Sequence, residues 1–521
     1  MLETGDAARP VIRGQEQQLN RYAYLTFLLL VGTAAFHLWY IASGALDLAP
    51  DEAHYWEWSR RLDWSYYSKG PLVAYLIAAF TRVGASTDFF VRLPAVLLSL
   101  GTGILVYRLA RALFASERAA FLAVLACSAN PLFSAGSILM TIDAPLAFFW
   151  SLAAYSTWKA VRSDSPAASR WWLVVGLALG CGVLSKYTML LIVPCLGAYL
   201  FLSPHARPYL RKPAPYLALG VAFVLCTPIL AWNTQHDWVS FRHVEALAGL
   251  AVTEDTHFTA KTFFEFLGSQ FAVASPVLFA ALVVAMITSG RLGLRQRRDE
   301  HLFLFLLAAP PLAFFLLWSI YDKVEGNWGA PAYLTATIAL AALWEEQMVR
   351  ASRIALVLLP GFLMVALAHF PGMPGYVGLN LPPRVDLTRR LDGWRELGTA
   401  VGKIVKAADG ENLFLFSDHY QIASELAFYV PGQPPVYTID AGRRMNQYDI
   451  WGGLDTLRGR DGLFVTYGDW DAPRPVQDAC EGLRKLRVVE TSHRGRPSQT
   501  FSVFQCMRYK GRAGAPSRTT Y

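Results

Sequence analysis

The sequence predicts a mainly α-helical protein, in which a polytopic membrane helical domain of about eleven spans precedes a C-terminal α/β domain. Of the 521 residues, 54% are hydrophobic and only 17% are charged, whereas soluble domains average about 25% charged residues. Long apolar segments recur up to residue 370, after which the sequence becomes polar and rich in Pro and Gly. The aromatic content of 13% is typical of a protein anchored at two membrane interfaces.

The apolar segments define the candidate spans, because a helix needs about 20 apolar residues to cross a bilayer. The candidates are Tyr22–Ala45, Phe89–Phe114, Ala119–Ser137, Thr141–Val161, Trp171–Leu184, Thr188–Ser203, Pro215–Trp232, Phe264–Ser289, Leu302–Ile320, Trp328–Leu343 and Ile354–Phe370. The fifth and sixth candidates also fit one long bent span. The segment Leu72–Val83 is shorter and follows Gly70-Pro71, which favours a re-entrant or interfacial helix.

Clusters of Lys and Arg set the orientation of these spans, since such residues accumulate on the cytoplasmic side. The clusters lie at Arg9–Arg21, Arg108–Arg118, Lys159–Arg170, Arg207–Lys212, Arg291–Arg298 and Arg350–Arg353. With eleven spans, all six fall on one side of the membrane. Residues 1–21 are then a short disordered cytoplasmic tail, residues 22–370 form the membrane domain, and residues 371–521 form a domain on the outer side. The net charge of +8 is therefore explained by the Lys and Arg residues that orient the membrane spans. It does not indicate a nucleic-acid partner.

The C-terminal domain alternates strand-like and helical segments, as a compact α/β unit does. Strands are predicted at 412–418, 435–439, 462–467 and 500–506, and helices at 394–408 and 421–429. Cys480 and Cys506 are the only two cysteines of this outer domain. Because an exported domain faces an oxidising compartment, we expect a disulfide bond between them. The other four cysteines fall in spans, where they suit apolar packing, and no cysteine spacing is typical of a zinc site.

One charged and aromatic stretch, Leu48–Pro71, interrupts the apolar segments within an outer loop at residues 47–88. Pro50 followed by Asp51 and Glu52 indicates a helix start. On such a helix Asp51, His54 and Tyr55 share one face, so acid and rings would point the same way. The alternative is a surface-lying amphipathic helix with aromatic anchors.

Further charged residues fall at the same outer membrane face. Asp143 begins the fourth span, Lys69 and Lys186 lie at span ends, and Arg242 lies in a later outer loop. Singly, each has a structural explanation: a helix-start acid, snorkelling lysines or a solvated loop residue. Together they place carboxylates and cations at one membrane surface, as a reaction on a lipid-linked phosphate requires.

The motifs PDEAHYWEW, YYSKGPL, FFVRLPAVLLSLG, MTIDAPLAFFW and LGCGVLSKYT resemble the GT-C membrane glycosyltransferases. The resemblance covers roughly the first 200 residues and is greatest to a bacterial branch. That branch contains lipid A aminoarabinose and galacturonic acid transferases and relatives of protein O-mannosyltransferases. His54 is typical of the mannosyltransferases, whereas the aminoarabinose enzymes usually have Arg there.

The resemblance implies an inverting transfer of one sugar from a polyprenyl (undecaprenyl) phosphate to a periplasmic acceptor, catalysed in the bacterial inner membrane. Asp51 is the expected base, Glu52 or His54 would orient it or the acceptor, and Asp143 would position a substrate. Lys69, with Arg242 or Lys186, would stabilise the leaving phosphate. The substrate-binding set is completed by two aromatic residues, Tyr55 and Tyr67.

Several alternatives remain open from the sequence. The acceptor is lipid A, another envelope lipid or glycan, or a protein. No cofactor is certain, although Asp51 and Asp143 could together hold a divalent metal. Membrane-embedded charges are also typical of transporters, but here they cluster at one face rather than at mid-span, and no internal repeat is evident. A non-catalytic assembly protein would leave the acids unexplained.

Overall fold

The computed structural model describes residues 8–163, 166–247, 260–373, 387–408, 413–493 and 496–511. The chain forms two compact units. The first comprises Met1–Tyr40, Leu93–Pro228 and Val252–Met373; the second comprises Ile41–Arg92, Ile229–Ala251 and Pro374–Tyr521. The loop predicted at 47–88 is thus grouped with the C-terminal residues rather than with the membrane helices.

The first unit is built from helices. They are α1 (Ala8–Ala42), α4 (Asp88–Phe114), α5 (Glu117–Ser128), α6 (Pro131–Gly136), α7 (Asp143–Arg162), α8 (Ala167–Ser185), α9 (Ile192–Leu202), α10 (Ala214–Gln235), α12 (Ala260–Ala274), α13 (Pro276–Gln296), α14 (Asp299–Trp318), α15 (Ala330–Glu346) and α16 (Ala351–His369), with α1, α4 and α10 shared with the second unit. The second unit adds α2 (Pro50–Arg60), α3 (Leu72–Gly84) and α11 (Val239–Leu247). The predicted mainly α-helical class is confirmed.

Seven described helices are long and apolar enough to cross a membrane, fewer than the predicted eleven. Those seven lie at 21–42, 88–114, 167–185, 214–235, 276–296, 299–318 and 351–369. The chain is a multi-pass membrane protein by these helices. Two predicted spans are broken. Asn130-Pro131 divides Ala119–Ser137, and Ser275-Pro276 divides Phe264–Ser289, since a residue before proline avoids the helical conformation.

The first helix starts earlier than the sequence suggested. Its backbone is helical from Ala8, although residues 1–21 were expected to be a disordered tail. Pro10 is tolerated in a first helical turn, and the Arg, Gln, Glu and Leu residues that follow are good helix formers. Residues 1–7, the rest of the predicted tail, lie outside the described residues.

Helix α15 lies at the centre of the first unit. Every residue from Ala330 to Trp344 is buried, and the segment is rich in Ala and Thr, whose small side chains let neighbouring helices approach closely. Tyr333 in this helix is fully buried. Helix α15 also contacts α7, which carries Asp143.

The second unit contains a five-stranded sheet of order β2-β1-β3-β5-β4. The strands are β1 (Phe414–Ser417), β2 (Val436–Thr438), β3 (Gly462–Tyr467), β4 (Cys480–His493) and β5 (Arg496–Tyr509), and the helices around them are α17 (Trp394–Ala407), α18 (Tyr420–Tyr429), α19 (Gln447–Trp451) and α20 (Arg474–Ala479). Strands β2, β1 and β3 are parallel, whereas β5 runs antiparallel to β3 and β4. The predicted α/β fold of the C-terminal region is confirmed.

Strand β4 was not predicted from the sequence. Its residues include Glu481, Arg484, Lys485 and Arg487, and charged side chains are unusual inside a sheet but common on its edge. Cys480 at its start forms a disulfide bond with Cys506 of β5, with the Cα atoms 5.5 Å apart. These are the two cysteines that the sequence pairs.

Candidate functional site

Helix α2 carries the predicted acids and starts as its sequence suggests. Pro50 occupies the first turn, and the Glu52 carboxylate accepts a hydrogen bond of 2.9 Å from the backbone N–H of Ala49. The two adjacent acids then differ sharply in environment. Asp51 is exposed, whereas Glu52 is completely buried. Only Asp51 offers its carboxylate to a molecule in solution.

The buried Glu52 forms an ion pair with Arg92 of α4. The Arg92 guanidinium donates to both carboxylate oxygens over 2.8–3.2 Å, and it also donates to the carbonyl oxygens of Leu46 and Asp47. Because all of these groups are buried, the network fixes the entry of the loop into α2. The role of Glu52 in orienting Asp51 or the acceptor stays a prediction.

The rest of the predicted shared face of α2 is covered by aromatic rings. His54 lies 4.9 Å from the ring of Tyr420 and 5.4 Å from that of Tyr448, and it packs edge-on against Trp58. Tyr55 also packs against Trp58 and is buried. All residues from Glu52 to Ser59 are buried, so α2 is not a surface-lying amphipathic helix.

Burial determines the charge of His54. It lowers the pKa of His54 from its usual 6.5 to about 3, so the imidazole is neutral at physiological pH. A neutral ring can orient a partner by packing or by a hydrogen bond but supplies no positive charge. The charge of the Asp51 carboxylate is therefore not balanced by His54.

Asp51 has a hydrogen-bond partner in the C-terminal sheet region. The Tyr420 hydroxyl donates to Asp51 Oδ1 over 3.1 Å. Burial and the adjacent Asp51 carboxylate raise the pKa of Tyr420, so its hydroxyl keeps the proton that it donates. Tyr420 is the first residue of α18 and follows directly on the end of β1.

A second cluster surrounds Tyr67 and Lys69. The ring of Tyr67 packs 4.6 Å from that of His243, which neighbours the predicted Arg242 on α11. Burial, with the nearby charges of Lys69 and Arg444, lowers the pKa of His243 to about 3. The structure therefore brings Tyr67 and Lys69 near the α11 segment and adds one further cation, Arg444, that the sequence did not indicate.

The loop that carries Lys69 is held in place by its surroundings. Trp232 donates to Asp63 over 2.8 Å, and the Ser240 hydroxyl donates to the carbonyl oxygen of Tyr66 over 2.9 Å. The backbone N–H of Tyr66 donates in turn to the carbonyl oxygen of Lys69. Lys69 itself is half-buried, at a turn whose backbone position is fixed.

The first unit holds the other predicted acid in a polar trio. Asp143, at the start of α7, accepts from Lys186 Nζ over 2.7 Å and from Asn327 Nδ2 over 2.8 Å. The Lys186 side chain is 7% exposed and that of Asp143 24%. The structure thus pairs two predicted residues, Asp143 and Lys186, and adds Asn327 from the EGNWG segment.

A cavity of about 340 Å³ adjoins this trio within the first unit. Its lining is mainly apolar, and Asp143 and Asn327 contribute polar groups to it. Apolar cavities of this size with few polar groups are typical small-molecule sites. The Asp143 carboxylate is therefore placed where a bound apolar molecule could meet a charged group.

The described residues contain no group of three or more His, Cys, Asp or Glu side chains arranged to hold a metal ion. Asp51 lies in the second unit and Asp143 in the first. A divalent metal shared between these two acids stays a prediction.

Solved structures give the fold its place among known proteins. The structure of ArnT from Cupriavidus metallidurans in the apo state matches 92% of this chain and 97% of its own, with a TM-score of 0.60 at 17% sequence identity. The chain has an ArnT-like fold. The same protein bound to undecaprenyl phosphate matches with a TM-score of 0.59 at 18% identity. The fold expected from the GT-C motifs is confirmed.

The sequence relatives of this chain include proteins named as sugar transferases. The lipid A galacturonosyltransferase RgtD of Rhizobium johnstonii is 29% identical over 61% of this chain and 64% of its own length. An undecaprenyl phosphate-alpha-4-amino-4-deoxy-L-arabinose arabinosyl transferase of Pseudomonas paraeruginosa is 27% identical over 56% of this chain and 53% of its own. This chain thus spans between about half and two thirds of the length of these relatives.

A family match covers a shorter part of the ArnT-like chain. Residues 68–232 match the family described as dolichyl-phosphate-mannose-protein mannosyltransferase. The recognition of GT-C membrane glycosyltransferases from the motifs is confirmed by these relatives and by the fold.

Four residues of the candidate site were missed in the sequence: Arg92, Asn327, Tyr420 and Arg444. Arg92 had a usable signal, since an arginine in the first turns of an apolar span needs a buried partner. Tyr420 had none, because 369 positions separate it from Asp51. Asn327 lies 184 positions from Asp143, so no local pattern indicates this contact either.

Proposed function

We propose that this protein is an inverting glycosyltransferase that moves one sugar from undecaprenyl phosphate to lipid A or another envelope glycolipid. The named activities of the two curated relatives support both the donor and the acceptor class. The observation that carries the proposal is the contrast within the Asp-Glu pair. Glu52 is neutralised by Arg92, whereas the neighbouring Asp51 carboxylate is exposed.

In the proposed reaction, Asp51 accepts the proton of the acceptor hydroxyl. The acceptor oxygen then attacks the anomeric carbon and forms the new glycosidic bond, while the bond from that carbon to the phosphate oxygen breaks. The phosphodiester leaves as undecaprenyl phosphate. A single in-line displacement inverts the anomeric centre.

The leaving phosphate needs cations, because its negative charge grows as the bond breaks. We assign Lys69 and Arg242 to this role, with Arg444 as a further candidate from its proximity to His243. Lys186 is paired with Asp143, so its role would be to hold that acid and, through it, the donor sugar. His54, Tyr55 and Tyr67 would shape the site by packing.

The cavity beside Asp143 suits an isoprenoid-linked donor. Its apolar lining matches a hydrocarbon chain, and the Asp143–Asn327 pair offers hydrogen bonds to sugar hydroxyls. The chain would act in the inner membrane of a bacterium, with its amino terminus cytoplasmic and both the site and the C-terminal domain periplasmic. This side faces lipid A and excludes cytoplasmic nucleotide sugars as direct donors.

The test is a transfer assay with purified full-length protein in detergent. Undecaprenyl-phosphate galacturonic acid and undecaprenyl-phosphate aminoarabinose are each incubated with lipid A, and the products are weighed by mass spectrometry. With one of the two donors, we expect the mass of lipid A to increase by one sugar residue. We also expect one undecaprenyl phosphate to be released for each sugar transferred. Detergent removes any transmembrane gradient, so a transporter would form neither product. Absence of sugar transfer with both donors to lipid A and to envelope glycan extracts would contradict the proposal.

A further inference from the structure

Helix α18 of the C-terminal region lies along helix α2, which carries Asp51. Midway along α18, the Ser424 hydroxyl approaches the carbonyl oxygen of Pro50 at 3.4 Å. Further along, the rings of Phe428 and Trp56 meet edge to face at 4.9 Å. The two helices are therefore held together by contacts that do not involve Asp51.

The amino-terminal end of α18 is fixed by the sheet. Strand β1 ends at Ser417, and the next residue, Asp418, is buried and accepts a hydrogen bond of 3.1 Å from Thr466 of β3. Two positions later Tyr420 begins α18. The sheet and the packed helix thus give Tyr420 a defined position at the carboxyl end of β1.

From that position Tyr420 makes two contacts with α2. Its hydroxyl donates to Asp51 Oδ1 over 3.1 Å, and its ring lies 4.9 Å from that of His54. Packing of the ring restricts its rotation, so the hydroxyl is held in a fixed direction toward the carboxylate. The hydrogen bond in turn restricts rotation of the Asp51 carboxylate about its side-chain bonds.

We propose that Tyr420 is a positioning residue for Asp51, through which the C-terminal domain completes the catalytic loop. This inference rests on the proposed function, in which Asp51 is the base. The hydrogen bond would hold the Asp51 carboxylate in one orientation toward the acceptor hydroxyl. It would also favour the ionised form of Asp51, which keeps the base deprotonated at lower pH.

The Tyr420 hydroxyl contributes little to folding stability. The bond reaches an exposed carboxylate, where hydrogen bonds add little to stability, and α18 is already anchored by Ser424 and Phe428. Asp51, His54 and, on β3, Tyr467 are titratable groups close to Tyr420. Burial, with the Glu425 and Asp418 charges, raises the pKa of Tyr467, and His54 stays neutral, so neither changes charge near neutral pH.

The experiment compares Tyr420→Phe with Tyr429→Phe in the purified full-length enzyme. Tyr420→Phe keeps the ring that packs on His54 and removes only the hydroxyl. Tyr429 is the matched control, because it is the last residue of the same helix and its hydroxyl binds Asp88 and the backbone N–H of Leu48 instead. The measured quantities are kcat, KM for the donor, and the acid limb of the pH profile of kcat/KM.

We expect Tyr420→Phe to lower kcat roughly tenfold, because the base loses its orientation, with little change in KM. The acid limb should move to higher pH by about half a unit, since the ionised Asp51 loses a hydrogen bond. Tyr429→Phe should leave the acid limb in place. A second variant, Tyr420→Gln, retains an N–H donor and should keep the limb closer to that of the unmodified enzyme.

A wild-type kcat and acid limb in Tyr420→Phe would overturn the inference, as would equal shifts in Tyr420→Phe and Tyr429→Phe. If Tyr420→Phe does not fold, Tyr420→Gln provides the test. A shift of its acid limb of kcat/KM to higher pH by a full unit would also overturn the inference. Asp51→Asn separates this from the proposed function. If Asp51→Asn is inactive and Tyr420→Phe has wild-type kinetics, only the role of Tyr420 is rejected. If Asp51→Asn is active, the role of Asp51 as the base is rejected.

Discussion

Arg92 and Glu52 form a buried ion pair in which the Arg92 guanidinium donates hydrogen bonds to both carboxylate oxygens of Glu52. Side-chain exposure is 4% for Arg92 and 0% for Glu52. The remaining donors of Arg92 bind backbone carbonyl oxygens of Leu46 and Asp47, so the charge is fully compensated. The pair explains how an Asp-Glu dipeptide yields one exposed carboxylate and one structural carboxylate.

Removing one member of this pair should destabilise the protein strongly. Arg92→Met leaves the Glu52 carboxylate buried without its cation, and breaking such pairs typically costs about 3–5 kcal/mol. We expect a large drop in the thermal unfolding midpoint in detergent. The double variant Glu52→Gln with Arg92→Met should recover much of the loss, because no buried charge remains. Equal destabilisation of the single and double variants would contradict this account.

Glu425 on α18 should destabilise the protein at neutral pH. Both of its carboxylate oxygens are buried without a hydrogen-bond partner among the described residues, and burial, with Asp47, Glu52 and Asp88, raises its pKa well above the usual range. The folded state then holds a proton that the unfolded chain releases, so this residue costs stability as the pH rises above about 4.3.

Glu425→Gln should therefore raise the unfolding midpoint at pH 8 by about 3 °C, equivalent to about 1 kcal/mol. At pH 4 the two proteins should unfold at similar temperatures, because the carboxyl is protonated in both states. The exposed Glu490 of β4 provides the control, and Glu490→Gln should change little at either pH. A lower midpoint for Glu425→Gln at pH 8 would show that the carboxylate is stabilising.

Two buried histidines predict a loss of stability in acid. His54 and His243 each have a pKa lowered to about 3, first of all by burial. A lowered folded pKa means that their contribution is complete above about pH 6.5 and is lost progressively as the pH falls toward 3. At pH 5 each should cost about 2 kcal/mol of unfolding free energy relative to pH 7.5.

His54→Phe keeps an aromatic ring among Tyr420, Tyr448 and Trp58 but cannot be protonated. The variant should lose roughly half of the stability difference between pH 7.5 and pH 5 that the two histidines contribute. Unfolding followed by tryptophan fluorescence at both pH values measures this. An unchanged pH dependence in His54→Phe would mean that this imidazole binds protons equally in the folded and unfolded states, contrary to this prediction.

The ion pair between Asp143 of α7 and Lys186, which follows α8, should matter more for activity than Lys159 at the other end of α7. Lys186→Met removes one of two hydrogen bonds to the Asp143 carboxylate, so the acid loses its orientation. We expect kcat/KM for the donor to fall about 10²-fold. Lys159→Met, at the other end of α7, is the control for loss of a positive charge. Comparable losses in both variants would point to a general effect of charge instead.

The local parts of the site were predictable from the sequence because their signals are local. The helix start at Pro50 and Asp51 and the acid at the start of α7 follow from residue order alone. The partners of these acids were not predictable in this way. Tyr420 reaches Asp51 only because a parallel sheet places the end of β1 beside α2, and no periodicity records that contact.

Two errors in the fold also have physical causes. The candidate span Phe264–Ser289 contains an apolar sequence of ample length, but Pro276 forces Ser275 out of the helix, and Ser275 takes a positive φ of 63°. Hydropathy averages over such a break. Strand β4 was missed for the opposite reason, since its charged edge residues hide the alternation by which strands are recognised.

The central claim is that the Asp51 carboxylate is the base of sugar transfer, and Asp51→Asn tests it most directly. The substitution keeps the size of the side chain and an oxygen that can accept from Tyr420, but it removes the basic group. The account predicts that the initial rate of sugar transfer from undecaprenyl phosphate falls by about 10²–10⁴-fold, with normal folding and donor binding. A purified Asp51→Asn enzyme that transfers sugar at close to the wild-type rate would contradict it.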